Sequence, residues 1–144
     1  LVIDREGITA RLRRLEDCVA ELQRTRPESF EAYVGDRGLR DRCERNLQIA
    51  AQRALDIGNH IIAEEVLEPP EDQRDIFRIL AGAGILPADF AARITPMAGF
   101  RNILVHDYLR IDDAKVYPAL TEGLRDLQEF ARHIEGWLER RGDG

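Results

Sequence analysis

Apolar residues recur at helical spacing along almost the whole chain, and nowhere do they alternate in the two-residue rhythm of a strand. Ile8, Leu12, Leu15, Val19 and Leu22 step by four and three, the stripe of an amphipathic helix. Pro27 ends or kinks it. Ser29 can cap a short turn of helix to Val34. Asp36 then caps a long helix to about Glu65, with the stripe Leu47, Ala50, Ala51, Ala54, Gly58, Ile61 and Ile62. Small residues dominate that stripe, so another helix can pack close. Pro69 and Pro70 stop the chain, and Glu71 to Ala83 form a third helix. From Ala88 the chain is helical again, with Phe90, Ile94, Met97 and Leu104 on one side. Pro96 leaves two outcomes there: a fresh helix with Thr95 as N-cap, or one kinked helix. Asp112 or Asp113 caps a last helix carrying Val116, Leu120, Leu124, Leu127, Ala131, Ile134 and Leu138. The pattern predicts one all-α domain over residues 1–144, a bundle of four or five helices. A bundle alone says little about function.

Composition narrows the class. The chain has 144 residues, enough to bury one core without disulfides or metals. No window approaches eighteen consecutive apolar residues, so no membrane span is expected. The opening Leu1-Val2-Ile3-Asp4 has no basic stretch followed by an apolar one, so no signal peptide and a cytoplasmic location are expected. Cys18 and Cys43 are far apart and are expected to be reduced. The net charge of −6 argues against a general nucleic-acid binder. No cation-rich recognition helix is present, so sequence-specific DNA binding is not expected either. Of 21 cationic residues only Lys115 is lysine. Arginine forks onto phosphate better than lysine does, although codon usage in a GC-rich genome explains the bias more simply. The three histidines are isolated and the cysteines lie far from them. Neither a zinc spacing nor a phosphate-cradling glycine loop exists, so no metal and no cofactor are expected.

One stretch carries chemistry: Arg101-Asn102-Ile103-Leu104-Val105-His106-Asp107-Tyr108. RNA can be cut when its own 2′-hydroxyl attacks the adjacent phosphate. That reaction needs a group that moves protons near neutral pH, which His106 supplies. It also needs a cation on phosphate oxygens where charge builds, which Arg101 supplies as a two-pronged donor. Asn102 lies one helical turn before His106 and can orient the imidazole or a phosphate oxygen. Arg101 and Tyr108 share a face, but His106 is about 140° round from Arg101 on an ideal helix. A long Arg side chain, local unwinding before Leu109, or a two-fold dimer that brings two copies to one cleft would close that gap. Each residue also has a structural reading: a surface contact for Arg101 and Tyr108, a satisfied buried histidine for His106.

The stretch resembles the R-x4-H-x-Y signature of the HepT family, within the HEPN class of helical nucleases. Arg101, His106 and Tyr108 match it in full, and Asn102 fits the polar residue that often follows the Arg. The segments Asn46 to Glu65, Met97 to Asp112 and Val116 to Phe130 are similar to the family's helices; the first 35 residues are less diagnostic. The resemblance implies a HEPN-type bundle that forms a two-fold homodimer. It implies the toxin of a toxin–antitoxin pair, a metal-independent RNA endonuclease with Arg101 and His106 as catalytic residues and Asn102 in support. It also implies a cognate minimal nucleotidyltransferase as antitoxin, which transfers AMP to the motif tyrosine, here Tyr108.

The alternative is a non-catalytic helical subunit that serves a nucleotidyltransferase. The intact Arg101–His106 pair favours the nuclease. Asp56 and His60, one turn apart on the long helix, form either a dyad lining the same cleft or an ordinary helix pair.

Overall fold

The computed structural model describes residues 3–106 and 111–142, with the side chains of 103–106 left aside. Among the described residues every regular element is helical: α1 (Arg5–Thr25), α2 (Phe30–Val34), α3 (Arg37–Glu64), α4 (Asp75–Gly82), α5 (Ala88–His106), α6 (Asp113–Pro118), a π-helical turn (Ala119–Gly123) and α7 (Leu124–Arg141). None of these helices is long and apolar enough to cross a membrane.

Local chemistry sets most of the boundaries. The carboxylate of Asp4 accepts from the Gly7 N–H at 3.0 Å and starts α1. Arg26 turns extended, as the clash with the ring of the following Pro27 favours. Ser29 caps α2 through the Ala32 N–H, Asp36 caps α3 through the Leu39 N–H, and Asp112 caps α6 through the Ala114 N–H. The predicted stripe of α1 is wholly buried, and so is that of α3.

Two boundaries differ from expectation. The third helix begins at Asp75 rather than Glu71. Asp72 takes the Arg74 N–H at 2.8 Å and its own N–H goes to the Asp75 carboxylate at 3.1 Å. These side-chain bonds compete with helix and hold the segment as a turn. The last helix is broken into α6 and α7 by the π-helical turn after Pro118, which brings no N–H to the ladder. The Leu124 N–H bonds the Thr121 carbonyl, and Arg26 Nη1 reaches across from α1 to take the Leu120 carbonyl at 2.8 Å.

Packing then orients the helices. At 28 residues, α3 is about 42 Å long and forms the spine. A Cβ at Gly58 would stand 2.4 Å from Ile76 Cγ2, so only glycine lets α4 approach this closely. Arg5 Nη2 bonds the Leu138 carbonyl at one end of α1, as Arg26 bonds Leu120 at the other, so α1 and α7 run antiparallel. Phe90 packs at a tilt against His133 and Arg93 bonds Asp126, so α5 is antiparallel to α7 as well. The C-terminal end of α5 therefore points toward the start of α7 and away from the Glu65–Arg141 pair, where α3 and α7 end.

Candidate functional site

The motif sits on α5, which runs unbroken from Ala88 to His106 with Pro96 inside it. Of the two outcomes at Pro96, the fresh start at Thr95 is therefore excluded. Thr95 Oγ1 donates to the Ala91 carbonyl at 2.7 Å, the bond of a residue inside a helix rather than of a cap. Pro96 removes the donor for the Ala92 carbonyl, and Ala92 faces solvent, which keeps that cost low. Buried Phe90, Ile94, Met97 and Ala98 hold the helix to the core on both sides of the proline. Arg93 secures its outer face by ion pairs to Asp126 at 3.2 Å and Glu129 at 2.5 Å on α7.

Arg101 and Asn102 lie half-buried near the end of this helix. Arg101 Nη1 donates to Asn102 Oδ1 at 3.2 Å. Arg101 Nε is buried and has no hydrogen-bond partner among the described residues. Among the described residues no carboxylate pairs with Arg101, whereas Arg40, Arg74, Arg78 and Arg93 all hold one. A buried N–H without a partner costs about 1–3 kcal/mol, which an incoming anion would recover. His106 closes α5. Its side chain, and Tyr108 altogether, lie outside the described residues. Because α5 stays helical through His106, no unwinding between Arg101 and His106 closes their offset of about 140°.

The fold adds a neighbour that the sequence did not flag. Arg74, at the head of α4, lies with its Cδ 3.8 Å from where a Gly99 Cβ would stand, two residues before Arg101. A groove of about 730 Å³ leads away between α4 and α5, lined by Arg74, Arg78, Ala81, Ala91 and Thr95 among others. Arg74 is 27 positions from Arg101, and no periodic signal links them. At the end of the bundle toward which α5 points, Arg40 of α3 pairs with Asp113 at 3.0 Å and the Tyr33 hydroxyl donates to Glu44 at 3.4 Å. Burial, with Asp113 nearby, pushes the Glu44 carboxyl above its ordinary range.

Asp56 and His60 do not form a dyad. Asp56 accepts from Gln52 Nε2 at 2.7 Å, while His60 Nε2 faces Asp4 at 3.0 Å and Glu64 at 3.8 Å. None of these partners is on α5. His60 meets the start of α1, at the end of the bundle away from which α5 points.

Residues 15–134 match the family described as Ribonuclease HepT-like. An mRNA nuclease HepT of Shewanella oneidensis is 28% identical over 123 residues, covering 85% of this chain and 92% of the relative. A tRNA nuclease HepT of Aphanizomenon flos-aquae is 34% identical over 95 residues, 66% of this chain and 65% of that protein. Among solved structures, the tri-AMPylated Shewanella oneidensis HEPN toxin in complex with MNT antitoxin superposes with a TM-score of 0.81 at 27% identity, covering 90% of this chain and 96% of that one.

Proposed function

This chain belongs to the HepT-like ribonuclease family and is an endoribonuclease of the toxin–antitoxin kind, and from that premise we propose that Arg101 and His106 carry the cut. The 2′-oxygen of a ribose forms a bond to the adjacent phosphorus, and the bond to the 5′-oxygen of the next nucleotide breaks. The 2′-hydroxyl loses a proton and the departing 5′-oxygen gains one; His106 makes one of these transfers, as base or as acid, and solvent makes the other. Arg101 binds the non-bridging oxygens as charge builds on them. The observation that carries this reading is Arg101 itself: half-buried, without a carboxylate among the described residues, and with an unsatisfied Nε. Asn102 steadies the guanidinium from beside it.

A two-fold homodimer completes the site. Five positions along the unbroken helix set Arg101 and His106 about 140° apart around its axis, so a second copy supplies the complementary face. The outer side of α5 supports this. Exposed Pro96 and half-buried Phe100 border a groove of about 240 Å³ with Pro118 and Ala119, edged by the charged Arg93, Lys115, Glu122 and Asp126. A helix apolar on more than one side calls for cover on more than one side.

The partner is a cognate nucleotidyltransferase that silences the nuclease by adding AMP to Tyr108. Its support is the motif match together with the AMPylated, antitoxin-bound relative. The added phosphate is anionic, and Arg101 is the cation suited to hold it.

The test is cleavage of RNA in EDTA with analysis of the ends. The expected products carry 2′,3′-cyclic phosphate or 3′-phosphate. Arg101→Ala and His106→Ala should each abolish cutting with unchanged helical circular dichroism. A strict need for Mg²⁺, or full activity in either variant, would overturn the assignment.

A further inference from the structure

The geometry points to a divalent transition-metal site built from Asp4, His60 and Glu64, joining the start of α1 to the end of α3. His60 and Glu64 stand one turn apart on one face of α3. Asp4 arrives from the segment ahead of α1. Its Oδ1 is occupied by the Gly7 N–H at 3.0 Å, which leaves Oδ2 aimed at His60 Nε2, 3.0 Å away. Glu64 Oε1 lies 3.8 Å from the same nitrogen. The three ligand atoms all lie within 4.8 Å of one another. In a tetrahedral zinc site with bonds of about 2.0–2.2 Å, ligand atoms stand about 3.3 Å apart. Small side-chain rotations bring this trio to that spacing.

Gly7 is part of the construction. A Cβ there would stand 2.1 Å from Asp4 Oδ2, so any larger residue would displace the oxygen that faces His60. One imidazole nitrogen with two carboxylates suits Zn²⁺ and its first-row neighbours, whereas Mg²⁺ and Ca²⁺ take oxygen sets. Two carboxylates balance a doubly charged ion. Arg11 is the nearby cation, and its Nη1 donates to the Gly7 carbonyl at 3.1 Å. Three protein ligands leave a fourth position for water. No sequence pattern links Asp4 to His60, 56 positions away. It lies at the far end of the bundle from Arg101, so an ion there fastens two helices and takes no part in cutting RNA.

Calorimetric titration of the untagged protein with ZnCl2, in chelator-free buffer near neutral pH, tests the site. One ion per chain with Kd of about 10 µM or tighter is expected. A hundredfold excess of free Zn²⁺ over Kd should raise Tm by about 5 °C or more. Asp4→Asn keeps the cap, because asparagine caps a helix as well as aspartate, and removes the charged ligand. Glu64→Gln removes the second carboxylate with little change of shape. Each should weaken binding about tenfold or more, and His60→Ala should abolish it. No binding to the wild-type chain, or unchanged affinity in either carboxamide variant, would overturn the site. The two carboxamides keep the test decisive should His60→Ala fail to fold.

Discussion

Arg101 donates through Nη1 to the Oδ1 of Asn102, its neighbour in sequence, at 3.2 Å, while its buried Nε bonds none of the described residues. A neutral acceptor steadies the guanidinium without consuming its charge. Asn102→Asp would set an anion against Arg101 and withdraw that charge from phosphate. The expected result is a fall in kcat/KM of about 100-fold, with a smaller loss in Asn102→Ala. Wild-type rates in Asn102→Asp would mean that Arg101 does not clamp the phosphate.

Assembly is the second expectation. Light scattering at micromolar concentration should give twice the chain mass. Pro96 and Phe100 lie on the proposed contact face, so Phe100→Glu should yield monomers and cut activity sharply. A stable wild-type monomer that still cleaves RNA would refute the shared cleft.

Tyr108→Phe should accept no AMP and stay toxic with the antitoxin present. Intact-mass measurement after incubation with the nucleotidyltransferase and ATP reads this directly. AMP on another residue, or none on the wild-type chain, would show that the assignment to Tyr108 is wrong.

Gly58 and Ile76 make a packing prediction. Gly58→Ala gains about 1 kcal/mol of helix propensity. The new methyl meets Ile76 Cγ2 at 2.4 Å in a fully buried contact, and a β-branched side chain has little freedom to yield. Overpacking wins, with a net loss of about 1–3 kcal/mol in urea unfolding. Ile76→Ala removes the obstructing atoms, so the double variant should lose less than the sum of the two single changes.

Glu16 on α1 sets a pH dependence. Its hydrogen bond with Glu135 on α7, followed by burial, raises its carboxyl to about 7. Folding therefore favours the protonated form. That contribution is fully present below the ordinary carboxyl range near 4.5 and is lost as pH rises through about 7. The group is largely exposed, so solvent screening holds the effect to about 1 kcal/mol or less. Glu16→Gln should raise Tm at pH 8 and leave it nearly unchanged at pH 4.5. An equal gain at both values would contradict the shared proton.

Short-range information was written in the chain. Ser29 and Asp36 cap the helices that the sequence assigns them, and Asp112 is the one of the two candidates, Asp112 and Asp113, that caps the next, because a cap reaches only two or three residues. The stripes of α1 and α3 are buried as their spacing requires, because periodicity fixes a face. The motif was legible for the same reason: its residues lie within eight positions. Contacts between distant segments were not legible. Side-chain competition at Asp72 delays α4, and packing on α7 carries α5 through Pro96. Spacing pairs His60 with Asp56, its neighbour one turn away, yet it turns to Asp4, 56 positions distant. Arg74 comes beside Gly99, 25 positions away, through the packing of α4 against α5. A helical repeat says which face of a helix is apolar; which helix meets that face, at what depth and in which direction, is decided by close packing of the whole bundle.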